Sequence, residues 1–456
     1  MSPRGSFLRD AVQPMFRLAV PVIAAELGWM AMGVVDTLMV GPLGAAALSG
    51  TGIGSTLFIA IGIFGMGLLL GLDTVVSQAF GAGDRQECDR WLVSGVWLAV
   101  LSTPPLAALL WLVWWALPRM GFHPDVLPHV RAYFPIVATS LPPLLLYAAL
   151  RRYLQALSRV GVIAFTLATA NLVNVVVNWL LIYGIGPMPA LGVRGAAWAT
   201  VVSRLYMVTV LAWVTWQAHR GAAATHVSWR LPVARLRRLL ALGLPAAAHL
   251  TFEVGVFSAV TTLAGQLTPP MQAAHHIALN VASVVFMVPL GVSAAAAVLV
   301  GQHVGRRDGP AARRAGWAAI VLVLTFMTSS AAAFFLAPAA IIGLYTREAA
   351  VIAIGSQLLG VAATFQLFDG LQVATTGALR GLGETRVPML VSLVGYWVTG
   401  LPLAWWLCFR GGQGVIGLWL GLAVSLFMVG TALLVLWRVR IGEMLRRFPA
   451  TEHATS

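Results

Sequence analysis

The chain has 456 residues, of which 59% are apolar and only 10% charged, with a net charge of +14. A soluble domain needs about a quarter of its residues charged, and a β-barrel needs apolar residues alternating with period two, so both are excluded by long continuous apolar runs. All 29 basic residues are arginine, scattered through short loops with no basic domain, which argues against a nucleic-acid partner and follows the pattern of membrane topology.

Apolar runs of about 20 residues, long enough to span a bilayer core as a helix, recur from end to end. In chain order they predict twelve transmembrane helices, at 15–40, 51–77, 92–117, 132–156, 161–184, 193–217, 237–266, 276–301, 316–342, 350–380, 387–409 and 414–438. Residues 1–13 lack a small-residue cleavage site after a short apolar stretch and read as a cytoplasmic tail, not a removed signal peptide. With the N-terminus inside, only Arg119, Arg131, Arg194, Arg347 and Arg410 fall outside, and Arg204 falls within a helix. Both termini are therefore expected in the cytoplasm. Cys88 and Cys408 lie in distant segments and support neither a disulfide framework nor a metal cluster.

The loop richest in arginine runs from Arg220 to Arg238 and divides the chain into an N-lobe at 1–218, a cytoplasmic linker at 219–236 and a C-lobe at 237–456. An internal repeat supports two six-helix halves. Val76-Ser77-Gln78-Ala79-Phe80-Gly81-Ala82-Gly83-Asp84 recurs as Val300-Gly301-Gln302-His303-Val304-Gly305-Arg306-Arg307-Asp308, shifted by 224, and Pro21 matches Pro245 at the same shift. Leu154-Gln155-Ala156-Leu157 matches Leu379-Arg380-Gly381-Leu382 at 225, and Gly192-Val193-Arg194-Gly195 matches Gly414-Val415-Ile416-Gly417 at 222. An even number of helices per half predicts lobes related by a pseudo-twofold axis along the membrane normal, as in transporters that alternate access between halves.

Five carboxylates fall within predicted helices: Glu26, Asp36, Asp73, Glu253 and Asp369. Each is costly in hydrocarbon and needs a reason. Asp73, near its helix end, best suits a structural role. The fifth helix carries Asn171, Asn174 and Asn178, the last two four apart on one face, and the sixth has Thr200 four residues after Ala196. With Asp36 these offer an all-oxygen set of the kind hard cations take; a plain interhelical polar cluster is the other reading. Glu253 lies one turn beyond His249, and Asp369 comes from the tenth helix. Two acids lining one cavity repel, which favours a bound proton or cation; alternatively they face different neighbours. Pro21 and Pro245 kink helices that carry acids. His275 and His276, being adjacent, point to different helix faces and make a poor metal site. The 17 tryptophans and 15 methionines suit interfacial belts and an adaptable pocket wall.

Over nearly its whole length the chain resembles the multidrug and toxic compound extrusion family, within the multidrug/oligosaccharidyl-lipid/polysaccharide exporter superfamily. The resemblance rests on Val35-Asp36-Thr37-Leu38-Met39-Val40-Gly41, Gln78-Ala79-Phe80-Gly81-Ala82-Gly83, Leu191-Gly192-Val193-Arg194-Gly195-Ala196-Ala197, Phe252-Glu253-Val254, Phe368-Asp369-Gly370-Leu371-Gln372 and Gly377-Ala378-Leu379-Arg380-Gly381. The glutamate of the seventh helix with the aspartate of the tenth resembles the NorM-like branch. What the resemblance implies is an all-α fold of two six-helix lobes, with export of cationic or amphipathic small molecules in exchange for sodium ions or protons. It implies an N-lobe cation site at Asp36, Asn174, Asn178, Ala196 and Thr200, and a C-lobe site at Glu253 and Asp369. It also implies a monomer in the bacterial inner membrane, with no cofactor and no metal beyond sodium at these sites. It does not choose the ion. A flippase for lipid-linked oligosaccharide is the alternative, but it calls for basic residues inside the cavity, for which Arg204 is the one candidate. A membrane enzyme finds no support in H-E-x-x-H or in G-x-S-x-G in context.

Overall fold

The computed structural model describes residues 8–184, 189–220 and 228–448. The start of the N-terminal tail, residues 221–227 of the expected linker and the end of the C-terminal tail lie outside the described residues. Among those described, every regular element is helical. Among the described residues, eleven helices are long and apolar enough to cross a membrane: α1 (Arg9–Leu43), α2 (Ala45–Gly81), α3 (Arg85–Arg119), α5 (Val160–Tyr183), α6 (Val193–Ala218), α7 (Val233–Ala264), α8 (Pro269–Gly305), α9 (Gly309–Leu336), α10 (Ala349–Leu382), α11 (Arg386–Arg410) and α12 (Gly414–Arg447). The remaining span, α4, is a bent pair, Leu127–Ala138 (α4a) and Leu141–Ala156 (α4b), meeting at 47°. Counted as one span it completes the twelve.

The helices run further than the apolar runs that reveal them, because a helix continues to its cap while the apolar run marks only the bilayer. α3 starts at Arg85, where Asp84 accepts from the backbone N–H of Glu87 at 2.8 Å, well before the predicted 92. The predicted continuous helix over 132–156 is broken instead. Pro142 and Pro143 at the start of α4b have no N–H to give the preceding turn. The chain turns tightly between α4a and α4b: Thr139 N bonds Ile136 O at 3.1 Å and Ser140 N bonds Val137 O at 3.0 Å, and the same two carbonyls also accept from the Thr139 and Ser140 hydroxyls. The predicted helix over 316–342 likewise stops at Leu336, and a short helix, Pro338–Gly343, follows.

The chain divides into two compact units, Ala24–Ala247, and Met1–Ile23 with Ala248–Ser456. Both boundaries fall within helices, three residues past Pro21 in α1 and three past Pro245 in α7. The first unit is packed around Leu69, Leu72, Val76, Leu110, Phe134, Leu141 and Leu145. In the second, α8 and α10 approach through small residues: a side chain at Gly377 would meet the Ser293 carbonyl, and one at Gly381, four residues on, the Ala297 carbonyl. Without a hydrophobic force between helices in lipid, such close backbone contact supplies the packing. Trp111, Phe165 and Trp213 in the first unit and Phe335, Leu336 and Val398 in the second are exposed, as residues facing acyl chains are.

The sequence repeat is also a repeat of backbone geometry. Asp84 (φ −88°, ψ 87°) and Asp308 (φ −97°, ψ 86°) cap their helices in the same conformation, Asp308 accepting from Ala311 N at 2.9 Å. The residue before each is left-handed, Gly83 at φ 81° and Arg307 at φ 60°. The ends of α4b and α10 match in the same way, with Ser158 at φ 60° and Gly383 at φ 86°. Arg159 N bonds back to Leu154 O, and Glu384 N to Leu379 O, each at 2.9 Å.

Candidate functional site

In the first unit, α1, α5 and α6 bring Asp36, Asn174, Asn178, Ala196 and Thr200 together. The Asn178 side-chain nitrogen donates to Asp36 Oδ1 at 2.7 Å and to Asn174 Oδ1 at 3.1 Å. Thr200 Oγ1 lies 3.4 Å from Asp36 Oδ2 and 3.1 Å from the carbonyl of Ala196. Spacings of four residues on α5 and α6 put these groups on facing stripes. Asn174 and Asn178 are fully buried, and Asn178 Oδ1 has no hydrogen-bond partner among the described residues. A buried amide oxygen without a donor is costly, and here it sits beside a carboxylate, a second amide oxygen, a hydroxyl and a backbone carbonyl. That donor set suits a hard cation.

Asn171 takes no part. Its amide donates to Gly28 O at 2.9 Å and Leu167 O at 2.8 Å, tying α5 to α1. Two neighbours lie outside the predicted cation site. Tyr133 on α4a is buried, with its hydroxyl 3.3 Å from Ser55 Oγ, and Arg204 on α6 is buried one turn from Thr200. Arg204 follows Thr200, which touches Asp36, by one turn of the same helix. Arg204 carries a sequence signal, as the arginine that falls inside a helix; Tyr133 carries none.

The other two acids that the sequence places within helices of this unit face arginines. Glu26 forms a buried ion pair with Arg151, and Asp73 lies 3.4 Å from Arg152. Trp29, one turn after Glu26, stacks on Tyr147, one turn before Arg151, with centroids 6.1 Å apart. Glu26 and Trp29 thus seat α1 on the Tyr147–Arg151 stripe of α4b. Arg151 falls near the end of the predicted helix 132–156 and is buried in the structure.

In the second unit, Glu253 of α7 and Asp369 of α10 meet through one amide. Gln372 Nε2 lies 2.7 Å from Glu253 Oε1 and 3.4 Å from Asp369 Oδ1. Its oxygen accepts from the Tyr396 hydroxyl at 2.7 Å, which turns the NH2 group toward the acids. Tyr396 belongs to a π-helical stretch of α11, Leu393–Gly400, a local widening common at functional sites. Behind Glu253, His249 Nε2 is 3.9 Å from Glu253 Oε2, while its Nδ1 pairs with Ser392 Oγ at 2.8 Å. Glu253 is buried and Asp369 half-buried. Gln372, Tyr396 and Ser392 have no periodic sequence signal as a group, since they come from two helices.

His275 is fully committed elsewhere. Trp419 Nε1 donates to its Nδ1 at 3.0 Å, so Nε2 carries the proton and faces Thr261 Oγ1 at 3.0 Å.

A family model described as MatE matches residues 21–180 and again 245–406, starting points offset by the same 224 residues as the internal repeat. The chain is 35% identical over 441 residues to a probable multidrug resistance protein NorM of Bradyrhizobium diazoefficiens, covering 95% of this chain and 94% of the relative. It is 37% identical over 444 residues to the multidrug resistance protein NorM of Burkholderia vietnamiensis, covering 96% and 95%. Among solved structures, the eukaryotic MATE transporter AtDTX14 has the same fold, with a TM-score of 0.86 and 24% identity over 97% of this chain and 100% of that one.

Proposed function

The chain belongs to the MatE family, and we propose that it is a secondary antiporter that exports cationic or amphipathic small molecules in exchange for sodium ions or protons. The observation that carries this reading is the Asp36 cluster, where a carboxylate, two amide oxygens, a hydroxyl and a carbonyl come together and one of the amide oxygens, that of Asn178, is buried without a donor. Glu253 and Asp369, joined by Gln372, form a second place where negative charge asks for a proton, a sodium ion or a cationic substrate. The NorM relatives, by name multidrug resistance proteins, support the substrate class.

Exchange follows from differential affinity. An arriving cation neutralises a carboxylate that is costly in a low-dielectric lobe. If the conformations open to the two sides differ in affinity for the loaded carboxylate, ion binding biases access and substrate release. No covalent step is involved, so the protein acts as a transporter and not as an enzyme, and the residues present call for no cofactor. Its place is the bacterial inner membrane, with both termini cytoplasmic, and it works as a monomer. The flippase reading is weakened by the surroundings of Arg204, which packs against Ser140 and the Phe58 ring within one unit.

The test is ethidium export from vesicles with an imposed sodium gradient at fixed pH, or an imposed proton gradient without sodium. Export driven by at least one gradient and collapsed by its dissipation supports antiport. Export indifferent to both, or transport of a lipid-linked sugar instead, defeats it.

A further inference from the structure

We propose that Arg204 is a tethered counter-charge for Asp36, a positioning residue that competes with the coupling ion and sets how readily that ion leaves. The proposal rests on the reading of the Asp36 cluster as the ion site.

Arg204 is 6% exposed in the interior of the first unit. A guanidinium there is expensive unless its charge is answered. Among the described residues its direct partners are not carboxylates: Nη1 donates to Ser140 Oγ, and Cζ stands 4.4 Å from the centre of the Phe58 ring. Ser140 lies at the break of α4, just past the C-terminus of α4a. The end of that helix presents the negative end of its dipole to the cation, and the ring face adds a cation–π contact. These hold the guanidinium off the carboxylate without neutralising it.

The carboxylate on the Arg204 side of α6 is Asp36. Thr200, one turn before Arg204 on α6, touches Asp36 directly, so the two occupy one face. With the cluster empty, Asp36 and Arg204 sum to zero. With a monovalent cation bound, the same pair carries one positive charge inside an apolar lobe. Every ion that enters is therefore opposed by Arg204, and every ion that leaves is replaced by it. A lone carboxylate among amides would hold its cation more tightly and release it more slowly. Tyr133 belongs to the α4a segment whose end holds the guanidinium, so the break of α4 positions both neighbours of Asp36.

The competing explanation is that Arg204 only clamps the α4 break. Ion dependence separates the two. The full chain in proteoliposomes is assayed for ethidium export against sodium concentration at fixed pH, and against proton concentration without sodium, using whichever ion drives the wild type. Arg204→Gln is expected to reach half-maximal export at about tenfold lower ion concentration with a lower maximal rate, while Arg204→Lys stays within about twofold of wild type. Ser140→Ala keeps the charge but frees it from the break, and is expected to raise the ion requirement. Unchanged ion dependence in a folded Arg204→Gln overturns the proposal. If that variant does not fold, Ser140→Ala decides: a raised requirement sustains the proposal and an unchanged one overturns it. Asp36→Asn tests the underlying reading separately, since wild-type ion dependence in that variant removes Asp36 from the ion site altogether.

Discussion

Asn178 reaches from α5 to set its amide nitrogen 2.7 Å from a carboxylate oxygen of Asp36 on α1. The same amide touches Asn174, and its own oxygen is the buried acceptor without a donor. Asn178→Ala removes both the donor to Asp36 and that oxygen. A hydrogen bond to a charged group contributes about 1.5–3 kcal/mol, so ion-driven export is expected to fall at least about tenfold, with normal amounts of protein in the membrane. Export at wild-type rate would show that Asn178 serves packing alone.

Gln372 is the corresponding link in the second unit. Gln372→Met keeps the volume, leaves Glu253 and Asp369 without their shared donor, and strands the Tyr396 hydroxyl. Tyr396→Phe removes only the hydroxyl. The expected order in thermal unfolding in detergent is a loss of about 2–3 kcal/mol for the first and about 1 kcal/mol for the second, with export impaired more strongly in Gln372→Met. The reverse order would mean that the amide does not join the two acids.

The Glu26–Arg151 pair should behave as an anchor. Glu26→Gln leaves a buried guanidinium uncompensated and is expected to cost about 3–5 kcal/mol. The double variant Glu26→Leu with Arg151→Met replaces both charges by apolar volume and is expected to recover most of that loss while keeping export. A double-mutant cycle of unfolding midpoints checks it; a double variant as unstable as the single, or one inactive despite folding, would give the pair a transport role.

The repeat geometry makes a smaller prediction. Gly383 is left-handed at φ 86°, where a Cβ costs about 1–2 kcal/mol, so Gly383→Ala should lower the unfolding midpoint. Arg307→Gly, at φ 60°, removes such a strain and should leave the midpoint unchanged or raise it. If both substitutions are silent, the left-handed turns are not what ends these helices.

Some of this is readable in the sequence because it is periodic. Asn174 with Asn178, and Ala196 with Thr200, are four apart, and that spacing alone puts each pair on one helix face. The spans are readable for a different reason, since hydrocarbon thickness sets the length of a continuous apolar run. The break of α4 is not, because Pro142 and Pro143 sit inside a run whose apolarity is continuous, and hydropathy records burial but not hydrogen bonds. Nor is the burial of Arg151, whose position near the end of a predicted helix gives no sign of the partner that Glu26 supplies from a different helix. The network of Gln372, Tyr396, Ser392 and His249 depends on three helices, α7, α10 and α11, coming together, and no spacing within one helix encodes that.

Antiport is tested most directly by running it backwards. Proteoliposomes are loaded with ethidium, with sodium and proton concentrations equal on both sides, and ion movement is followed with radioactive sodium and an internal pH dye as ethidium flows down its gradient. Expected is movement of one of the two ions against its own equilibrium in the wild type, opposite in direction to ethidium, and its loss in Asp36→Asn. Ethidium flow with neither ion moving, or the same ion movement in Asp36→Asn, would contradict cation exchange at the Asp36 cluster.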